Sequence, residues 1–412
     1  MGFLRRLCRL FLFALAGLGL RAAEPVVAPT YQPLLVISLD GFRWDYRLLH
    51  PEATPTLNRL AAEGASARAL IPVFPTNTFP NHYSAVTGRR PRETGVINNS
   101  MYDPARGRFF RNTLPQAVRD PAWWGAEPVW VTAIRQGRKA ATSFWVGSEA
   151  PVGGVRPTWF RPFDPAMPFA TRRDEVLSWI RRPAGDRPDL ITFYLEESNS
   201  VGHRRGPESA EMAEAMTVLD RQLGELLRLL AEAGAEPNVV VMSDHGMTDT
   251  RPERCVALDD YLDLSTVQVD FAGPVAGLRP LTTTVEAVLA RLARLPGGAR
   301  VFTPATLPSH LYLSGNDRIP PVIVVAGEGG WIERRAQIEK FFPTTLGEHG
   351  YDPLLPSMHG TLVVHGPAFR QDGAVIEAVE NIHLYALLCA VMGIEAGPHD
   401  GDQRLVDALL RR

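Results

Sequence analysis

Three cysteines in 412 residues are too few for a disulfide-stapled scaffold. They are Cys8, Cys255 and Cys389, and none has a close partner of the kind a cysteine zinc site requires. Cys255 and Cys389 read as two buried thiols, with a single disulfide between them as the alternative. No apolar run reaches the roughly 18 residues of a confident membrane span. No segment repeats with a period of about 20–50 residues, which excludes a solenoid or propeller. An excess of positive charge is missing too, since 43 Lys and Arg stand against 45 Asp and Glu. That balance argues against a protein that holds long nucleic acids electrostatically. An anionic substrate would need metal ions or local arginines to attract it. The 35 glycines and 35 prolines are dispersed, so they punctuate elements and form no low-complexity tract.

What is present begins with a basic stretch, Met1 to Arg9, then the apolar run Leu10 to Leu20 and the small residues Ala22 and Ala23. That order predicts a secretory signal peptide over residues 1–23, with an uncleaved anchor or buried helix as the alternative. The protein is therefore expected to be exported, periplasmic or secreted, with no permanent membrane span after processing. The segment carries four arginines and no acid, which leaves 39 basic against 45 acidic residues in the rest of the chain. Residues 24–33, with Pro25, Pro29 and Pro33, read as a linker.

From residue 34 to 412 a single domain is expected. Its strand-length apolar runs are Leu34–Leu39, Leu190–Leu195, Val239–Met242, Val322–Val325 and Leu362–Val364. They are continuous rather than alternating, which predicts burial on both faces. In Glu208–Ala233 the residues Met212, Met216, Leu219, Leu223, Leu226 and Leu230 recur at steps of three and four, the apolar face of a long helix. Shorter helices are expected in Asp174–Ile180 and Ile376–Met392. Strands alternating with helices predict an α/β fold around a largely parallel sheet. Such sheets hold their sites at the C-terminal strand ends.

Chemistry-capable residues fall at those ends. Asp244 and His245 follow the Val239–Met242 run, and one carboxylate beside one imidazole is a ligand pair that zinc accepts. Asp40 follows Leu39 and suits a metal or a helix cap. His203 and His349 precede turn-forming residues; singly, each reads as well as a structural histidine. Thr78 stands two residues before Pro80, with Gly88 ten residues on, which places it at a helix N-terminus where free N–H groups favour phosphate oxygens. Alone it reads as a cap; with a metal on its hydroxyl it becomes a nucleophile. Asn98 and Asn99 are neutral donors or turn formers.

Taken together these stretches resemble the nucleotide pyrophosphatase/phosphodiesterase family of the alkaline phosphatase superfamily. The likeness runs from about Leu34 to Leu405 through LLVISLDGFRWDY, PVFPTNTFPNHYSAVTG, GVINNSMYD, GVRPTWFRPFD, YLEESNSVGHRRGP, VVVMSDHGM, GEHGYDPLLPSMHGTLVVHGPAF and PHDGD. It implies an alkaline-phosphatase-like core with helices on both faces of the sheet and a small inserted cap region. It further implies two zinc ions, one held by Asp40, Thr78, Asp244 and His245, the other by His203, His349 and the residue at position 199. Thr78 would attack phosphorus in line and form a phospho-threonine that water releases. Asn99 would hold a phosphate oxygen, while Phe79 and Phe163 would stack a base. The implied activity is hydrolysis of nucleotide phosphodiester or pyrophosphate bonds to nucleoside 5′-monophosphates, with a nucleotide or other small phosphodiester as partner and no stable nucleic-acid binding. Hydrolysis of phosphomonoesters or of phosphocholine-type lipids is the alternative within the superfamily, and a catalytically weakened binding protein the alternative outside it.

Three departures stand out. Position 199 holds Asn where the family has Asp, which removes a charge from the second site and leaves a weaker zinc ligand. Glu196 and Glu197 are the near carboxylates that could restore it. Ser198 replaces the usual proline, and Pro353 the usual Asn after HGYD. The nuclease-like and cysteine-rich domains of the animal extracellular members are absent from the sequence, so the likeness is to the compact bacterial form.

Overall fold

Leu34–Leu39 shows why a continuous apolar run makes a central strand. All six residues are buried, with Leu34 and Val36 in one hydrophobic cluster and Leu35, Ile37 and Leu39 in another on the opposite face. The computed structural model describes residues 31–342 and 344–411. The expected signal peptide and residues 24–30 of the expected linker lie outside them. Tyr31 bridges to Ala235, and the carbonyl of Pro33 accepts the amide of Asn238.

Eight strands form the main sheet: β1 (Leu34–Leu39), β2 (Ala65–Ala67), β3 (Ala140–Ser143), β4 (Trp159–Arg161), β5 (Leu190–Leu195), β6 (Asn238–Met242), β7 (Leu362–His365) and β8 (Ala374–Ile376). Their spatial order is β8-β2-β7-β6-β1-β5-β3-β4. The five from β6 to β4 run parallel, with Leu34 of β1 opposite Leu190 and Asn238. Strand β7 runs antiparallel to both neighbours. Helices cover each face. Pro55–Glu63, Phe169–Ile180 and Ala210–Glu232 pack on one, while Thr78–Thr87, Val129–Arg135 and Leu384–Met392 pack on the other. The six apolar residues of the long helix are all buried, as their spacing requires.

Three local expectations are corrected. Val322–Val325 joins a separate antiparallel sheet, ordered Val267–Phe271, Val275–Pro280, Val322–Val325, Arg300–Phe302. A run of four apolar residues, three of them buried, carries no record of its partner, and this one packs on two clusters without touching the main sheet's ladder. Ile376–Met392 is not one helix. Ala374–Ile376 and Val379–Glu380 are strands, and the helix begins at Leu384. Cys255 is half-buried rather than buried. Both it and Cys389 are free thiols, which burial raises to about 11 and about 12. Thiols so protonated at neutral pH are poor nucleophiles. No described helix is long and apolar enough to cross a membrane.

Candidate metal centre and active site

The parallel strands deliver their ligands to one edge. Asp40 leaves the end of β1, Asp244 and His245 the end of β6, and Asn199 and His203 lie on the helix Glu197–Arg205 that follows β5. The turn after Asp40 demands glycine. Gly41 has φ +67°, and an added Cβ would lie 3.1 Å from Asn199 Cα and 3.2 Å from its Oδ1. Ser198 hydroxyl donates to the Asp40 carbonyl at 2.5 Å, tying that helix to the end of β1.

Asp40, Asp244 and His245 form one buried group of convergent ligand atoms, and His203, Glu348 and His349 form a second. His245 Nε2 lies 3.1 Å from Asp244 Oδ2, 3.3 Å from Asp40 Oδ1 and 3.4 Å from Thr78 Oγ1. The rings of His245 and His349 stack with centroids 3.5 Å apart, so the two groups adjoin. Nδ1 of His245, His203 and His349 lies 2.8–2.9 Å from the carbonyls of Gly246, Gly347 and Thr76 respectively. A carbonyl only accepts, so each Nδ1 carries a proton, and Nε2 is the nitrogen each ring would offer a metal. Asp40 Oδ1, Asp244 Oδ2 and Asn199 Oδ1 are buried acceptors without a hydrogen-bond donor. Orphaned oxygens beside free imidazole lone pairs have the chemistry of a cation site.

The electrostatics set the two groups apart. Burial opposes charge on His245, but Asp244 and Asp40 outweigh it and raise the imidazole to about 9. Burial likewise disfavours ionised Asp244, yet His245 and His82 hold its carboxyl below the usual range. Burial, reinforced by His245 and His203, keeps His349 well below the ordinary imidazole range, hence neutral. The carboxylates of the first group thus favour a positive charge beside them, and His349 of the second offers a neutral nitrogen.

Thr78 opens the helix Thr78–Thr87, which ends at Gly88 with φ +64°, as Pro80 and Gly88 predict. The N-cap residue is Asn77, whose side chain makes no capping bond, and Thr78 is the first helical residue. Asn99 Oδ1 accepts the Phe79 amide at 2.9 Å, leaving its Nδ2 as the end available to donate beside Thr78. Asn98 steadies this arrangement by accepting from Asn77 Nδ2 and the Asn99 amide at 2.8 and 2.7 Å. A cavity of about 550 Å³ is lined by Asp40, Thr78, Phe79, Asn99, Phe163 and Asn199, and also reaches His203 and His349. Phe79 packs against Phe110 and Trp124, whereas Phe163 is about half exposed and meets Phe144 edge-on. Asp40, Thr78, Phe79, Asn99, Phe163, Asn199, His203 and His349 thus border one cavity, and Asp244 and His245 share a ligand group with Asp40. Arg119 is the one cation of the lining, and Glu149 takes it at 2.9 Å.

Three residues escaped sequence reasoning. His82, four positions after Thr78 and hence on the same helix face, accepts from Ser38 Oγ at 2.7 Å. Its Nδ1–H donates to the Thr78 carbonyl at 2.9 Å, and the same nitrogen stands 3.2 Å from Asp244 Oδ2. Tyr194 donates its hydroxyl to Asp40 Oδ2. Both orient carboxylates, and helical spacing could have found His82. Glu348, adjacent to His349 in sequence, is the third. Conversely, Glu196 and Glu197 are turned to Arg172, at 3.4 and 3.0 Å, and do not line the cavity.

The model of the "Type I phosphodiesterase / nucleotide pyrophosphatase" family matches residues 34–352. A venom phosphodiesterase of Crotalus durissus collilineatus is 35% identical over 393 residues, covering 92% of this chain and 46% of that protein. The chain thus spans about half the length of the first curated relatives it matches. Human ectonucleotide pyrophosphatase/phosphodiesterase family member 5 is 33% identical over 400 residues, 97% of this chain and 82% of that protein. Its solved structure aligns with a TM-score of 0.87 over 92% of this chain and all of that one, which establishes the expected fold class. The murine counterpart, an inactive threonine-to-alanine form in complex with AMP, aligns at 32% identity with a TM-score of 0.84, covering 92% of this chain and all of that one.

Proposed function

The chain belongs to the type I phosphodiesterase/nucleotide pyrophosphatase family, and on that footing we propose that it hydrolyses nucleotide phosphodiester or pyrophosphate bonds to nucleoside 5′-monophosphates. The observation that carries the reading is the position of Thr78. Its hydroxyl lies at a helix N-terminus, 3.4 Å from His245 Nε2, beside the Asp40 and Asp244 carboxylates and at the floor of an aromatic-lined cavity.

Asp40, Thr78, Asp244 and His245 would hold one zinc ion, and His203, His349 and Asn199 a second. When bound, such a pair lowers the pKa of a coordinated hydroxyl and neutralises charge on the entering and leaving oxygens. The remaining work falls to the chain. Thr78 Oγ attacks phosphorus, the ester or phosphate oxygen on the opposite face leaves, and a covalent phospho-threonine results. Water then cleaves the new P–O bond and restores the hydroxyl. Asn99 Nδ2 donates to a non-bridging oxygen, where charge accumulates. His82 and Tyr194 hold Asp244 and Asp40 in place. Phe79 and Phe163 offer faces to a base, a contact worth about 1–3 kcal/mol that tolerates different bases. A diester fits better than a monoester, because the extra charge of a monoester needs a free cation and Arg119 is occupied by Glu149. The venom and ecto- names of the relatives support export of the protein.

Thr78→Ala is the decisive variant. Turnover of a chromogenic nucleotide diester should fall to background while the fold is retained, and ³²P from a labelled substrate should no longer be trapped on the protein by acid quench. Intact turnover in Thr78→Ala would exclude the threonine as nucleophile. A phosphocholine lipid analogue hydrolysed faster than any nucleotide would move the reading to the lipid alternative.

A further inference from the structure

The second ligand group has a charge problem. Asn199 brings an amide where a carboxylate would help neutralise a divalent ion, and its Oδ1 is buried with no donor. His203 and His349 are neutral when they act as ligands. Without another anion this half would hold its cation with neutral donors alone.

The near carboxylates in sequence do not answer the need, because Glu196 and Glu197 are committed to Arg172. Glu348 answers it from elsewhere. It is buried, it follows Gly347 in the short strand Gly347–Glu348, and its oxygens lie 3.7 Å from His203 Nδ1 and 3.9 Å from His349 Nε2. One ligand atom from each of His203, Glu348 and His349 falls within a 4.8 Å group. Among the described residues no arginine or lysine pairs with Glu348; its Oε1 accepts the His349 amide at 2.9 Å, which fixes the carboxylate against the two imidazoles. Asn199 and Glu348 border different cavities that share His203 and His349 as common wall. The two imidazoles therefore stand between an amide on one side and a carboxylate on the other.

We infer that Glu348 supplies the negative charge of the second metal site in place of the aspartate absent at position 199. The inference rests on the two-metal reading above. Burying a carboxylate this deeply is costly without a positive partner, and a divalent cation between His203 and His349 provides one.

The experiment measures metal rather than turnover. Zn²⁺ is titrated into chelator-stripped protein against a chromogenic competitor, for the native chain, Glu348→Gln, Asn199→Asp and the double variant. The native chain should bind two ions. Glu348→Gln should weaken the second by about 10–100-fold, the range for removing a carboxylate that supports a metal site, and leave the first unchanged. Asn199→Asp in the Glu348→Gln background should restore most of that affinity, which a merely structural role for Glu348 would not allow. Unchanged second-ion affinity in Glu348→Gln, or no rescue in the double variant, overturns the inference. One ion per native chain overturns it too, while Thr78→Ala continues to test the nucleophile separately. Failure of the native chain to bind any zinc refutes the two-metal reading itself.

Discussion

Asn99 performs two tasks with two atoms, and substitution can separate them. Its Oδ1 accepts the Phe79 amide at 2.9 Å, and its Nδ2 is the donor proposed for the substrate phosphate. Asn99→Asp keeps an acceptor for Phe79 at a helix N-terminus, where a carboxylate is favoured by about 0.3–1 kcal/mol. Stability should therefore hold. The same change replaces the donor with a negative charge facing an anionic phosphate. Loss of one donor to developing charge costs about 2.7–4 kcal/mol, or roughly 10²–10³ in kcat, and repulsion adds to that. Asn99→Ala should behave differently. It removes both atoms, so activity falls by about the same 10²–10³ without the repulsion, and the freed Phe79 N–H costs a further 1–3 kcal/mol or so of stability. The assays are kcat/KM on a chromogenic nucleotide diester and the urea midpoint at unchanged m-value. Equal stability loss in both variants would refute the acceptor role of Oδ1. Asn99→Asp as active as Asn99→Ala, or more so, would refute the donor role of Nδ2.

Gly41→Ala forces a left-handed residue with a Cβ 3.1 Å from Asn199 Cα; the conformation alone costs about 1–2 kcal/mol, so a lower urea midpoint is expected, and a neutral effect would show that the turn has freedom to relax. Phe163→Ala should lower kcat/KM for nucleotide diesters by about 5- to 150-fold, the equivalent of 1–3 kcal/mol of stacking, and leave a small alkyl diester unaffected. Because Phe163 is 48% exposed, its loss should leave the melting temperature unchanged. Equal losses on both substrates would remove it from base recognition.

The sequence carried the parts of this fold that local chemistry writes down. Leu34–Leu39, Leu190–Leu195 and Val239–Met242 read as doubly buried strands because every residue must be apolar in such a place. The site followed, since parallel strands bring their C-terminal ends together and the motifs put Asp40, Asn199, His203 and Asp244 just beyond those ends. Pairing direction was not legible. Leu362–Val364 lies antiparallel beside β6 and Val322–Val325 belongs to another sheet, yet each is as apolar as a central parallel strand. Side-chain orientation was not legible either. Glu196 and Glu197 sit nearest Asn199 in sequence, but Arg172, two dozen residues earlier, draws both away. Glu348 is 149 residues from Asn199 by its numbering and faces the same two histidines. Tyr194 was hidden for a third reason. A strand residue in LITFYL counts as core, and only the register of β5 against β1 turns its hydroxyl onto Asp40.

These orientations make the two halves of the site unequal in a way that follows the proposed chemistry. The half that would prepare Thr78 has two aspartates, each steadied by a donor of its own, with Gly41 N–H on Asp244 and the Tyr194 hydroxyl on Asp40, and His82 stands beside Asp244. A hydroxyl must lose its proton there, and concentrated negative charge is what holds a cation firmly enough to favour that loss. The other half would meet the substrate through Asn199 and the two imidazoles, with Glu348 set across from the amide. A carboxylate on the cavity side would stand close to the phosphate oxygens, and like charges repel. Moving the anion from position 199 to position 348 keeps negative charge near the imidazoles while the wall facing an anionic substrate stays neutral. The exchange is thus more than the loss of a ligand: it redistributes charge within the centre, away from the side where the phosphate must sit.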